Sequence, residues 1–403
     1  MKARSVSLVL TTKRRIARRV SLAALILSFV LTAASTSWLS TTTADSQRLL
    51  KVMTRNMDEG TDLDFVLNAT TFDDLLNAVA DTYLEVAASN IPERAAGIAR
   101  EIQSSLPDFV GLQEASLWRT GPLGGPATET AFDPLQSLLD ELDRLGLRYS
   151  PAAIITNFDF ELPSALGFDV RRTDRDVLLA RADLDASELK LSSIRAQHFQ
   201  TTLPIDSPLL GHLEVPSGWI SADVKIRGKE CRLITTHLDS LVPNVRLAQA
   251  AELAQATVDS ELPVVLIGDF NSDAESSDPD QNGAYQLLRG AGFLDAWLTV
   301  HPGDPGFTWP LHDEDPFTPF STPNQRIDLV LYRDLEAVGV ELIGNRLDDL
   351  TPSGLWPSDH AGLVATLQVS QPDLALSDNA TRALSTLRTC LARNLVLTRR
   401  RFR

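Results

Sequence analysis

Polar residues able to bind a metal or move a proton stand at the ends of several apolar runs. Asn56 closes the run 49–56, Glu114 closes 108–114, His237 closes 230–237, and Asp269 closes 263–269 with Asn271 just beyond it. Asp328 lies in 325–332, and the pair Asp359-His360 stands directly before 361–367. A chain that is apolar and then abruptly acidic delivers a carboxylate to the rim of a sheet, where a buried charge needs a cation or a dense hydrogen-bond net. Clustered Asp, Glu and Asn oxygens suit hard cations such as Mg²⁺ or Mn²⁺. Such an ion polarises a phosphoryl oxygen and stabilises the charge developing there. An Asp beside a His is one way to build a general base, although the carboxylate that orients His360 in the fold need not be Asp359. His237 is a second imidazole, suited to general acid or phosphate donor.

These residues need rigid elements to hold them. Hydrophobic spacing predicts helices over 72–88, 92–105, 134–145 and 245–256; Pro92 suits a first-turn position, and Ile98 and Ile102 share a face. Strands are predicted over 49–56, 108–114, 176–181, 218–226, 230–237, 263–269, 325–332 and 361–367. The run 218–226 alternates apolar and polar residues, as an antiparallel strand with one buried face does, and Gly228 joins it to 230–237 as a hairpin. Hairpins mixed with helices imply an α/β (α+β) fold, with sheets packed face to face and flanked by helices. The Pro-, Gly- and Asp-rich stretches 273–282 and 301–324 read as loops, where sites commonly sit.

The 403 residues are 43% hydrophobic and 22% charged, enough to build a large core and unlike a disordered or fibrous chain. The formal net charge is −16, although the first 44 residues carry seven basic side chains and no acidic one. The remainder is therefore more acidic still. So acidic a body repels polyanions at long range and argues against nucleic-acid binding by phosphate neutralisation alone, whereas a bound cation inverts the field locally. Cys231 reads as a small buried hydrophobe, and a disulfide to Cys390 is not favoured. The basic stretch 13–19, the apolar run 20–34 and the small residues up to Ala44 read as a signal peptide or an uncleaved N-terminal anchor over 1–44. The body then occupies 45–370, and 371–403 is a basic tail. The expected setting is secreted or periplasmic, or tethered to the outside of a membrane through the N-terminus, with the chain acting as a monomer.

The segments Thr54-Arg-Asn56, Leu112-Gln-Glu114, Thr236-His-Leu-Asp239, Ile267-Gly-Asp-Phe-Asn271, Gln325-Arg-Ile-Asp328 and Ser358-Asp-His360 follow one another as in the endonuclease/exonuclease/phosphatase superfamily. The chain resembles that group, which includes deoxyribonuclease I, from about residue 49 to 369. The resemblance implies a four-layered sandwich with the site at one rim of two packed sheets. It implies that Glu114 is the main Mg²⁺ ligand with Asn56 beside it, that Asp58 is a weaker metal contact, and that Asp359 is a further ligand. Asp269 then positions or activates the attacking water, and Asn271 holds the phosphate. His360, oriented by Asp328, is the general base or a phosphate contact. His237 matches the deoxyribonuclease and sphingomyelinase branches.

The implied substrate is a phosphate ester: nucleic acid, phospholipid or a small phosphoester. A lipid enzyme is expected to show an apolar hairpin, and residues 203–210 are a candidate. Several residues near the motifs have plainer readings. Asp239 caps the following helix or bonds in its loop, Arg246, Gln249 and Glu252 form a packing face of that helix, and Phe307 and Trp309 belong to the core. Asp176 reads as a strand residue outside the site, and Asp62 and Asp64 as facing solvent. The stretch between Asn56 and Glu114 is longer than in compact relatives and can reshape the groove.

Overall fold

The computed structural model of the chain describes residues 49–312 and 322–369. The expected leader, the basic tail and Cys390 lie outside the described residues. In chain order the elements begin with β1 (Leu49–Asn56), α1 (Asp64–Leu67), α2 (Phe72–Ala88), α3 (Ile91–Ser105) and β2 (Phe109–Gln113). Then come β3 (Leu117–Pro122), β4 (Glu129–Phe132), α4 (Pro134–Arg144), β5 (Tyr149–Pro163), β6 (Phe168–Arg181) and β7 (Leu189–His198). The hairpin of β8 (Leu203–Ser207) and β9 (Gly211–Val215) precedes β10 (Gly218–Ile226), β11 (Lys229–His237), α5 (Pro243–Thr257) and β12 (Val264–Asp269). The last part holds α6 (Pro279–Gly290), β13 (Leu294–Asp295), α7 (Ala296–Val300), β14 (Asp328–Arg333), β15 (Glu336–Ile343) and β16 (Gly362–Gln368).

One sheet runs in the order β15-β16-β1-β2-β6-β3-β4, with β5 also paired to β6; the second runs β13-β14-β12-β11-β10-β7. Alternation along the strands makes four layers. Leu50, Val52 and Phe109 of the first sheet meet Leu233, Val265 and Ile267 of the second in one central cluster. The opposite faces turn to helices. Met53, Val110 and Leu112 pack against Ile98 and Ile102 of α3 and Leu138 of α4. Val264, Leu266 and Leu331 pack against Leu253 of α5 and Leu288 of α6. This is the sandwich that the motifs implied. Because side chains alternate with a period of two, each strand feeds both an inner and an outer layer, and a one-residue slip would exchange them.

The sheets approach closely at Gly111. A Cβ there would lie 2.3 Å from Thr235 Oγ1 and 3.0 Å from Ile267 Cδ1. Beside it a short polar ladder bridges the layers, with Thr54 Oγ1 donating to Gln113 Oε1 at 3.1 Å and Gln113 Nε2 to Thr235 Oγ1 at 3.3 Å. The predicted hairpin forms between β10 and β11, closed by Arg227 and Gly228, both at positive φ. That two-residue geometry matches the twist of the flanking strands. The stretch 273–282, read as a loop, instead contains the start of α6, where Asp278 accepts the Asp280 amide and Pro279 occupies the first turn. No helix among the described residues is long and apolar enough to cross a membrane.

Candidate active site

Strand register gathers the motif residues at one rim. β1 and β2 are parallel and pair Asn56 with Gln113, so Asn56 and Glu114 emerge side by side. β11 and β12 are parallel and pair His237 with Asp269; β12 and β14 are antiparallel and pair Asp269 with Asp328. Asp359 and His360 enter from the segment leading into β16.

Asn56 joins the two halves. Its Nδ2 donates to Glu114 Oε1 at 2.8 Å and to Asp269 Oδ2 at 3.2 Å. The Glu59 amide donates to Glu114 Oε2 at 3.0 Å, and the Asn271 amide to Asp269 Oδ1 at 2.8 Å. Asn271 Nδ2 is anchored on the Leu238 carbonyl at 2.9 Å. Glu114 and Asn271 both hold positive φ, 56° and 47°. Asn tolerates that conformation; for Glu it is strained, and it is sustained here by the hydrogen bonds on both carboxylate oxygens.

Two imidazoles flank Asp269. His360 Nδ1 lies 2.8 Å from Asp328 Oδ2, and its Nε2 is 3.9 Å from Asp269 Oδ2 and 3.8 Å from Asp359 Oδ2. A proton on Nδ1 is therefore held by Asp328, which leaves Nε2 facing the cleft. His237 Nε2 is 3.6 Å from Asp269 Oδ2, and its Nδ1 is 3.8 Å from Asp176 Oδ1. Asp359 accepts a hydrogen bond from Trp309 Nε1 at 3.0 Å. Behind His360, Arg55 donates to its backbone carbonyl and forms a doubly hydrogen-bonded ion pair with Glu101 at 2.9 Å.

The electrostatics are those of crowded carboxylates. Burial, then the negative charges of Glu59 and Asp359, push Glu114 up to about 8 against the pull of the histidines. Burial, then Asp174 and Asp269, raise Asp176 to about 7, although His237 opposes this. Burial and the neighbouring Asp328 raise Asp269. For the imidazoles burial works against the charged form, yet the carboxylates win. Asp269, Asp176 and Glu114 lift His237 to about 9, and Asp328 and Asp359 lift His360 well above its usual value.

A divalent cation fits this donor set. Ligand atoms of Glu114, His237 and Asp269 lie within 4.8 Å of one another, as do those of Asp269, Asp328 and His360. Asp176 Oδ1 and Asp328 Oδ1 are buried with no hydrogen-bond partner. Buried acceptors without donors, packed among like charges, are what a hard cation relieves.

Of the residues singled out in the sequence, Asn56, Glu114, His237, Asp269, Asn271, Asp328 and His360 come together, and Asp359 borders them. Asp58 lines the same cleft, with its carboxylate 2.9 Å from Arg94 Nη2 and 3.4 Å from His312 Nε2, and these cations hold it well below the usual range despite burial. Asp176, read as a strand residue, lies against His237 and accepts a bond from Asn157 at 2.9 Å. Asp62 and Trp309 line the same cleft of about 770 Å³, where Asp62 was expected in solvent and Trp309 in the core. Asp239 does not cap α5, whose N-cap Val242 has no side-chain cap; it bonds in the loop before the helix, accepting the amides of Leu241 and Val242.

The model of the Endonuclease/Exonuclease/phosphatase family matches residues 86–360, well over half of the chain. The chain belongs to that family of phosphoester hydrolases. Among solved structures it is similar to a D. rerio TDP2 humanized by 14 mutations, at 17% identity over 79% of this chain and 99% of that one with a TM-score of 0.46. It is also similar to the mannosyl-6-phosphatase of Bacteroides thetaiotaomicron, at 17% identity over 79% and 99% with a TM-score of 0.47. The human Nocturnin catalytic domain matches at 19% identity over 80% and 96%, with a TM-score of 0.45. No curated protein sequence gives a significant match.

Proposed function

We propose that the chain is an exported, Mg²⁺-dependent hydrolase of a phosphodiester or phosphomonoester, with Mn²⁺ an alternative ion. The observation that carries this reading is Asp269 set between the Nε2 atoms of His237 and His360, with Glu114 and Asn56 bonded into the same rim. A bound divalent cation supplies polarisation of a phosphoryl oxygen and neutralises charge developing on it.

In this reading Glu114 and Asn56 would hold the ion, with Asp359 as a further ligand. Asp58, neutralised by Arg94, orders the adjoining turn through its backbone amide, which donates to Asn56 Oδ1 at 2.8 Å. Asp269 takes the proton of the attacking water; its raised pKa makes it a stronger base than an ordinary aspartate. His237 and His360, kept protonated by their carboxylate neighbours, donate to the phosphoryl oxygens. Asn271 fixes Asp269 through its amide. Water adds to phosphorus in line with the departing ester oxygen, which leaves with a proton returned from the site.

Export is supported by the basic stretch 13–19 and the apolar run 20–34. Hydrolysis of bis(p-nitrophenyl) phosphate is the direct test. The reading expects turnover that EDTA abolishes, that Mg²⁺ restores, and that Glu114→Ala loses by at least about a hundredfold. Full activity in EDTA would rule out the metal mechanism.

A further inference from the structure

The cleft in front of the site has two chemically different halves. One is the acidic rim. The other is apolar, built from Leu63 and Val66 in the segment after Asp58, Phe158 and Phe160 of β5, and Ile205 and Leu213 of the β8–β9 hairpin. The two phenyl rings stand 5.2 Å apart.

The hairpin's construction gives its direction. Among the described strands it pairs with no other, and a lone two-stranded hairpin is marginal unless one face is covered. Register sets Leu203 opposite Val215 and Ile205 opposite Leu213, all lining the cleft. On the other face Asp206 lies opposite His212, whose Nδ1 is 2.7 Å from Asp206 Oδ1 and whose Nε2 is 3.0 Å from Glu214 Oε1. The apolar face turns inward and the charged face outward. The hairpin is thus a wall of the cleft and not a wedge offered to a membrane.

The cations that a polyanion would need are already engaged. Among the described lining residues the arginines are Arg172 and Arg246. Arg172 is bonded to Glu59 and lies 3.6 Å from Asp174. Arg246 donates to the backbone carbonyls of Asp239, Ser240 and Asp280 at 2.9, 3.1 and 2.8 Å. Asp62, Glu59 and Asp174 add carboxylates to the same lining. A nucleic-acid backbone would meet acids where it requires bases.

We infer that the cleft takes a phosphoester with one flexible alkyl arm, its phosphorus at the acidic rim and its chain laid against the apolar wall. This rests on the phosphoesterase reading above. The volume of about 770 Å³ falls within the ~300–1,000 Å³ of small-molecule sites. The substrate class is a single-chain amphiphile carrying phosphate, met one molecule at a time.

The test uses the full chain with Mg²⁺ and p-nitrophenyl phosphodiesters whose second arm is methyl, butyl or octyl, held below the concentration at which the octyl ester aggregates. Each methylene buried on the wall lowers KM about fourfold, so the octyl ester is expected to show a KM at least about a hundredfold below the methyl ester with a similar kcat. Ile205→Asp and Leu213→Asp flatten that octyl-to-methyl ratio; Ile205→Thr, which preserves strand propensity, reduces it in part. The ratio is taken within each variant and so does not depend on the folded fraction. A KM independent of chain length, or plasmid nicking with a higher kcat/KM than the octyl ester, overturns the inference. Calorimetry of octyl against methyl phosphonate reads the wall without turnover. Tighter octyl binding with no ester hydrolysed sinks the phosphoesterase reading alone, and equal hydrolysis of all three esters sinks the alkyl assignment alone.

Discussion

Arg55 and Glu101 meet in two hydrogen bonds of 2.9 Å, with side-chain exposures of 0% and 6%. The pair links α3 to the strand that carries Asn56, and the third guanidinium contact goes to the His360 carbonyl. Removing one partner of a buried pair strands the other charge, a loss of about 3–5 kcal/mol. Glu101→Gln is expected to lower the unfolding free energy by that amount in a urea titration and to disturb His360 through Arg55. A midpoint equal to that of the parent chain would refute a structural role for the pair.

The bond between His360 and Asp328 predicts a kinetic signature. Asp328→Asn keeps the shape but no longer favours the imidazolium. The expected result is a fall in kcat of about 10²–10⁴ with KM little changed, measured at saturating Mg²⁺. A variant with parent kcat removes Asp328 from the mechanism.

Metal affinity should depend on pH in one direction. Glu114 without metal is held near 8 and is therefore largely protonated at neutral pH. A cation must displace that proton, so binding strengthens as pH rises and levels off above about 8. The Mg²⁺ dissociation constant from calorimetry is expected to fall by up to about tenfold between pH 6 and 7, with proton release visible as a dependence of the heat on buffer. An affinity flat across this range contradicts the assignment of Glu114 as a ligand.

Gly111 predicts a packing effect. Its missing side chain is where Thr235 Oγ1 of the facing sheet sits, 2.3 Å from an added Cβ. Overfilling a close-packed core costs about 1–3 kcal/mol. Gly111→Ala is expected to lower stability by that much in a denaturant titration, and an unchanged midpoint would show that the layers are less tightly apposed.

The parts of the fold legible in the sequence are those whose burial pattern is strong. β12 is buried along its whole length and reads as a continuous apolar run, and β10 alternates from Ile220 onward. β7 escaped notice because most of it is exposed and polar, and β5 because its half-buried residues follow no clean period of two. Asp176 reads from the sequence as a strand residue for a physical reason. A carboxylate in the middle of a strand looks structural until its partner is known, and His237 reaches it only across the sandwich, from the other sheet. The usable signal was the spacing of Asp174 and Asp176, which puts two acids on the same strand face. The segment after Asp58 was recognised as extra chain, but its placement against the cleft depends on long-range packing that no local pattern encodes.

The strand order β15-β16-β1 seats the last described strand directly beside the first. During synthesis, β1 therefore waits with a bare hydrogen-bonding edge until residue 368 has been made. Asn56 and His360, which share the rim, are separated by nearly the whole body. Contacts so distant in sequence form late, since the loop between them must first be closed. The catalytic rim is thus among the last features to be completed, and a chain cut short before β16 keeps most of its helices and strands while leaving an open edge that invites aggregation.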